Sequence, residues 1–262
     1  MSGNFMKITK DILKKQFADA NLKHDDTVLI HSAMKKIGDV EGGAETFFQA
    51  LEEYFADGLI AFPTLTWKIG LEGYPQAGNV YSVKDSPTDI SLLPELFRQR
   101  EGVVRSLLPT HSLTAKGRDA AEFCKVEPSK IKSSLPWDSP WGRLYERNAK
   151  ILFVGCTIQS CTFFHAVEEK AGIDGLFDPV PKHVKIIDYD GRETEIDMYR
   201  HLGAHSKYYR LPEALLFAEG ALTMTTLGEA KTYVLDARKA CDAILKLLKV
   251  VPQFFMDSYH QD

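Results

Sequence analysis

The sequence predicts an α/β fold: a mainly parallel central sheet with flanking helices and a C-terminal antiparallel hairpin part. Three observations point there. Short apolar, β-branched runs of the kind buried on both faces recur at 27–31, 59–63 and 151–155. Helix-favouring stretches with apolar residues on one face lie between them. Beyond about residue 180 the pattern changes to strand pairs around Asp190-Gly191 and Leu227-Gly228-Glu229-Ala230, which are hairpin turn sequences. Strands alternating with helices, followed by hairpins, argue an α/β part with an antiparallel part appended from about 180, and length alone leaves one large domain or two small ones open.

Taken in order, Thr9 is a natural N-cap for a helix to Ala20, with Ile12, Leu13, Phe17 and Ala20 on one face. Thr27 to His31 is a buried strand. Ser32 to Gly38 reads as a polar turn, and Gly42-Gly43 precedes a helix from about Ala44 to Ala56. Leu59 to Pro63 is the next strand, stopped by its proline. Trp67 to Ser91 is rich in Gly, Pro, Asn and Asp with little periodicity, the composition of a long functional loop. Leu92 to Gln99, Arg118 to Phe123 and a turn at Leu144 to Arg147 read as helical. Ile151 to Gly155 is the third buried strand, and a helix carrying His165 follows it. Val184 to Tyr189 pairs with Glu193 to Tyr199 across an Asp-Gly of type I′ preference, and Ala221 to Thr226 pairs with Lys231 to Leu235. Asp236 caps a closing helix to Leu248.

Hydrophobic content of 44% and charged content of 26% are ordinary for a globular protein. A net charge of −4 gives no basic footprint for nucleic acid. No apolar run approaches the roughly 18–20 residues that span a bilayer, and Met1 to Lys7 lacks a signal-peptide core. Cysteines 124, 156, 161 and 241 form no C-x-x-C pair. These features predict a cytoplasmic protein with reduced thiols, and partners that are neither nucleic acid nor membrane.

Chemistry concentrates in Cys161-Thr162-Phe163-Phe164-His165-Ala166-Val167-Glu168-Glu169. Residues i and i+3 share a helix face, so His165 and Glu168 reach one volume, and an imidazole beside a carboxylate is a general base. The plainer alternative is a half-buried histidine beside a solvated glutamate. Arg105-Ser106-Leu107-Leu108-Pro109-Thr110-His111-Ser112 joins a guanidinium to hydroxyls in a Pro-broken turn, which suits an anion or is a capped loop with a surface arginine. His31-Ser32-Ala33-Met34 ends the first strand, where ligands collect in open α/β sheets. Amides before the Gly42-Gly43 helix suit a phosphate or pantetheine arm. His31, His111, His165 and His183 are scattered without metal-ligand spacing, so no metal is expected. Cys161 stands one helical turn before His165, as a nucleophile or as core packing. Dinucleotide and NTP glycine motifs are absent.

Together these segments resemble the aminoglycoside 3-N-acetyltransferase (antibiotic N-acetyltransferase) family. The resemblance is carried in order by HSAMKKIGDVEGG (31–43), LIAFPTLT (59–66), VRSLLPTHSLTAKG (104–117), DSPWGRL (138–144), ILFVGCTIQSCTFFHAVEE (151–169) and LGEAKTYVLDARKACDAI (227–244). Three positions depart from it: Leu108 replaces a histidine before Pro109, Ala33 a second serine after His31, and Cys161 an asparagine before Thr162. The resemblance implies a single domain over 1–262 and an acetyl-coenzyme A-dependent N-acetyltransferase acting on a small-molecule amine, with His165 and Glu168 as catalytic pair and no covalent acyl-enzyme. It implies a coenzyme A site at His31, Ser32, Ala33, Met34, Gly38 and Val40, with Arg105, Ser106 and Ser112 on a phosphate. The acceptor is expected against Thr64, Asp138 and Glu169, with Glu72, Asp85 and Asp89 of the long loop closing over it. Leu108 predicts fewer polar contacts beside the site and weak use of ordinary aminoglycosides. Two other functions fit the same residues: a non-catalytic coenzyme A-binding protein, and a hydrolase using His165 and Glu168 with water.

Overall fold

The computed structural model describes residues 7–71 and 78–260, so Glu72 lies outside the described residues. The chain runs α1 (Lys10–Asp19), β1 (Thr27–Ser32), α2 (Met34–Ile37), α3 (Gly43–Tyr54), β2 (Leu59–Pro63), β3 (Val80–Ser82), α4 (Leu92–Arg98), β4 (Val104–Arg105) and β5 (Leu113–Gly117). It continues through α5 (Ala120–Cys124), α6 (Pro140–Glu146), β6 (Lys150–Val154), α7 (Thr162–Ala171), β7 (Lys182–Ile187), β8 (Glu193–Met198), α8 (Glu213–Ala218), β9 (Leu222–Leu227), β10 (Ala230–Asp236) and α9 (Ala237–Val250).

The main sheet has the order β4-β5-β2-β1-β6-β10-β9. β1 lies between β2 and β6, parallel to both. Every other pairing in this sheet is antiparallel. The parallel part is therefore the three-strand centre, and the sheet as a whole is mixed. The three central strands are the three apolar runs of the sequence, and their alternation places side chains in two cores. Leu29, Ala61, Ile151 and Phe153 face one. Val28, Ile30, Ile60, Phe62, Leu152 and Val154 face the other. Helices α1, α3 and α4 cover the second face with Leu13, Phe17, Phe47, Phe48 and Phe97. Residues of α5, α6, α7 and α9 cover the first, among them Phe123, Trp141, Phe163, Phe164 and Ile244. Burial on both sides explains why these runs are continuous rather than alternating.

The helix caps follow the sequence. Thr9 accepts from the Ile12 amide at 3.3 Å and Asp236 from the Lys239 amide at 2.9 Å. Five features differ from expectation. Met34 to Ile37, expected as a turn, closes one helical turn. β4 and β5 were not legible as strands, because half-polar β5 acquires its pairing from β2 and two-residue β4 pairs with β5 in turn. The long loop contains β3, which pairs in parallel with β7 and, with β8, forms a second sheet of three strands. The β7–β8 hairpin is not type I′: only Gly191 of Asp190-Gly191 has positive φ, at 78°, and Asp188 caps the turn through the Asp190 and Arg192 amides. The β9–β10 hairpin is no appendage either, since β10 pairs with β6 and extends the main sheet. No described helix is long and apolar enough to cross a membrane.

Candidate active site

All three parallel strands end at one cavity of about 1070 Å³. His31, Ser32 and Ala33 come from the end of β1, Pro63 and Leu65 from β2, and Gly155, Cys156 and Thr157 from β6. Gly155 has φ 70°, and a Cβ there would lie 2.7 Å from Lys36 Cβ, so the β1 and β6 turns approach this closely only with glycine. Thr162 and His165 project from the first turns of α7, and Arg200, His201 and Tyr209 from the segment packed over it. Ligand sites at strand carboxyl ends are a property of open α/β sheets, here the parallel centre alone.

His165 and Glu168 do share a face of α7, with Nδ1 and Oε2 3.4 Å apart. A third group joins them. The Tyr209 hydroxyl donates to Glu168 Oε2 and lies 2.5 Å from His165 Nδ1. Glu168, only 1% exposed, also takes His205 Nδ1 at 3.0 Å and has His201 Nε2 at 3.6 Å. Burial pushes its carboxyl up, but the hydrogen bonds of His165 and His205, with the electrostatic effect of His165 and His201, outweigh that and bring it down to about 2. Burial pushes the Tyr209 hydroxyl well above its ordinary value, and the Glu168 charge adds to this. The tyrosine stays protonated and the glutamate ionised. With Tyr209 donating to Glu168, its oxygen is an acceptor for an Nδ1 proton of His165, and Nε2 has no hydrogen-bond partner among the described residues.

Neighbouring histidines are held neutral. Burial lowers His31 to about 4 and His201 to about 3. It also lowers His111, whose ring is 6.5 Å from that of His165. Four buried side-chain atoms among the described residues have no hydrogen-bond partner: His31 Nε2, Ser32 Oγ, Arg200 Nε and His201 Nε2. All four belong to the wall of this cavity. Buried polar groups are nearly always satisfied, so their concentration here marks where a ligand supplies the missing partners.

The expected residues divide sharply. His165, His31, Ser32 and Ala33 line the cavity, and Glu168 stands directly behind it. Met34, Gly38 and Val40 do not line it; Val40 packs in the second core with Met34 against it. Arg105 is the clearest correction. It is 4% exposed, and its guanidinium donates to Ser112 Oγ and to the carbonyls of Val83, Ser86 and Thr64. Those bonds pin β4 to the long loop and to the end of β2, which leaves the phosphate role without a free donor face. Ser106 accepts from the Leu113 amide, and Ser112 and Thr64 bond each other, all fully buried. Asp138 is exposed and faces Arg143 at 3.6 Å. Asp85 accepts from Ser82 and Asp89 pairs with Lys68, both away from the cavity lining. His183 is exposed and paired with Asp197. Cys161 lies in the wall, but burial raises its thiol far above the ordinary range, so the packing alternative holds and the nucleophile does not. Leu108 is fully buried in the first core, and it is His111 that lines the cavity, so the replacement at 108 removes no polar contact from the described wall.

Glu169 turns the other way from Glu168. It accepts from Ser133 Oγ at 2.5 Å and the Leu135 amide at 3.0 Å, which ties down the segment before α6. Burial pushes it up to about 7 despite those bonds. A carboxyl raised in the folded state binds more protons folded than unfolded between about pH 4.5 and 7, so its effect on stability worsens as pH rises. Glu169→Gln is therefore expected to gain on the parent by on the order of 1 kcal/mol between pH 5 and pH 8. Urea titrations at both pH values check this, and a difference independent of pH would refute it.

Tyr209, His201, His205 and Arg200 were not singled out in the sequence. The signal available was the spacing His201-x-x-x-His205-x-x-x-Tyr209 in a Gly-interrupted segment, which pattern reading treats as loop. This segment also bears on metal. His165, Glu168 and His201 place one ligand atom each within 4.8 Å of one another, although the Tyr209 hydroxyl already bridges two of them.

The family model described as aminoglycoside 3-N-acetyltransferase matches residues 29–249. The chain belongs to this family. Like its aminoglycoside N3-acetyltransferase relatives, it is an acyltransferase. One relative, the SPbeta prophage-derived aminoglycoside N(3')-acetyltransferase-like protein YokD of Bacillus subtilis (strain 168), is 30% identical over 80% of this chain and 91% of its own. The aminoglycoside N(3)-acetyltransferase VII of Streptomyces paromomycinus is 23% identical over 90% and 89%. The AAC-IIIb binary complex with CoASH aligns with TM-score 0.81 and 20% identity over 93% of this chain and 97% of that one. The crystal structure of YokD aligns with TM-score 0.80 and 23% identity over 93% and 94%. At these identities the structural likeness speaks for the fold of the family.

Proposed function

We propose that this chain transfers the acetyl group of acetyl-coenzyme A directly to the amine of a small molecule, with His165 as general base. The observation that carries the reading is His165 itself. Its Nδ1 is engaged by Tyr209 and Glu168, and its remaining nitrogen belongs to a ring in the cavity wall. An acceptor amine is cationic at neutral pH and must lose a proton before it attacks. His165 Nε2 takes that proton, and ionised Glu168, directly and through Tyr209, stabilises the imidazolium. The amine nitrogen then bonds the acetyl carbon and the carbon–sulfur bond breaks; of the two protons the nitrogen gives up, one passes through His165 to the departing thiolate and the other leaves to solvent.

Coenzyme A fits the β1 end of the cavity. His31 Nε2 and Ser32 Oγ lack partners there, Gly155 keeps the wall open, and Lys36 offers a cation to its phosphates. The CoASH complex of AAC-IIIb supports the same cosubstrate. Gentamicin and sisomicin complexes of other family structures support an amine acceptor in this fold. Four free cysteines suit a reducing compartment such as the cytoplasm.

Thermal shift and thiol release together test the reading. Coenzyme A should raise the melting temperature, and thiol should appear from acetyl-coenzyme A only when an acceptor amine is added. A shift with no thiol for any amine would make the protein a binder. Thiol released without an amine would make it a hydrolase.

A further inference from the structure

The cavity wall is poorly charged for a polycation. Among the described residues its charged lining is Lys36, Asp178 and Arg200. Asp178 is already paired with Lys182 at 3.2 Å. Each ammonium of a polyamine needs an opposite charge when water is removed, and the described part of this wall offers none that is uncommitted.

Arg200 states the complementary requirement. It is 8% exposed, it donates to the Trp67 carbonyl, and its Nε is buried without a hydrogen-bond partner. Among the described residues no carboxylate lies within ion-pair distance of it; Asp178, held by Lys182, is the one whose charge it feels from further off. A buried guanidinium with no anion in contact is costly, and a ligand that supplies one recovers that cost. The residue also stands beside the chemistry, because it adjoins His201, whose ring centre is 4.3 Å from that of His165.

We propose that Arg200 receives an oxyanion carried by the acceptor itself, a carboxylate or phosphate a few bonds from the reacting amine. The substrate is then an amino acid-like or amino phosphate-like molecule and not a polycation. This deepens the acetyl-transfer reading and rests on it. The phosphates of coenzyme A are the other source of such an anion. They are separated from the thioester by the pantetheine arm, so with the thioester beside His165 they lie away from Arg200.

Acceptors of matched length test the proposal with acetyl-coenzyme A and thiol release: β-alanine, its uncharged amide, 1,3-diaminopropane and O-phosphoethanolamine. The anionic amines should exceed the amide at least about tenfold in kcat/KM, with the diamine lowest, the scale of one charge-assisted hydrogen bond. Arg200→Ala should erase that preference through the KM of the acceptor, and Arg200→Lys should restore part of it. The thermal shift with coenzyme A should not change in either variant. Loss of coenzyme A binding with dephospho-coenzyme A unaffected would assign the anion to the cosubstrate and overturn the proposal, as would preference for the diamine. Binding of N-acetyl-β-alanine and its amide, read by thermal shift, gives a readout free of turnover. An Arg200-dependent preference for the acid without any turnover would sink acetyl transfer and leave the anion site standing. Equal shifts for acid and amide would sink the anion site.

Discussion

Replacing His165 by alanine is expected to lower acetyl transfer at least about a hundredfold while leaving coenzyme A binding nearly intact. The expectation rests on position. The ring lines the cavity and its Nδ1 is held 2.5 Å from the Tyr209 hydroxyl, so removing it takes the base away from the reacting amine. A general base contributes roughly 10²–10⁴-fold, and the lower bound is the natural threshold where an acceptor is already partly deprotonated. Turnover within about threefold of the parent, with folding and coenzyme A binding verified by thermal shift, would exclude His165 from proton removal.

Glu168→Gln should cost both activity and stability, and the second effect separates it from His165→Ala. Glu168 is the common acceptor for Tyr209 and His205 and stands within 3.4 Å of His165 and 3.6 Å of His201, at 1% exposure. Breaking a buried ionic arrangement by neutralising one partner typically costs about 3–5 kcal/mol. An amide in that place also turns an N–H toward groups that need an acceptor. The pH dependence has a definite sign. The folded carboxyl, at about 2, lies below the unfolded value of about 4.3, so its stabilisation is fully present above that unfolded value. It is lost as pH falls toward about 2. The gap between parent and variant in urea midpoint should be wide at pH 7 and shrink as the buffer is taken below about pH 4. A variant as stable as the parent at pH 7 would show that the network is not held by this charge.

The two glutamates show where local sequence stops being informative. Glu168 and Glu169 are adjacent and identical in type, and helical spacing alone puts one of them beside His165. It does not say that Glu169 meets Ser133 and the Leu135 amide, because those come from a segment more than thirty residues earlier. Arg105 teaches the same lesson in reverse. Arginine among hydroxyls in a Pro-broken turn has the composition of an anion site, yet β4 enters the core edge and the carbonyls of Val83, Ser86 and Thr64 take its donors. Leu108 and His111 exchange importance for a similar reason. The turn buries the first and points the second into the cavity.

The sequence by itself determined the α/β class, the three buried central strands, the Thr9 and Asp236 caps, the closing hairpins, the family resemblance and the His165–Glu168 face. Each of these depends on interactions within a few residues or on the period of burial, and both are written in the local order of side chains. Only the tertiary structure decided that β5 and β10 join the parallel centre antiparallel, that β3 pairs with β7, and that Tyr209, His201, His205 and Arg200 converge on α7. Those residues lie more than thirty positions from His165, and nothing periodic connects them to it. Their meeting depends on the packing of the 200–209 segment across the first core, where Tyr209 sits edge-on to Phe164 and Phe255. A hydrogen-bond network assembled by packing has no signature in local spacing, which is why the dyad was legible and its relay was not.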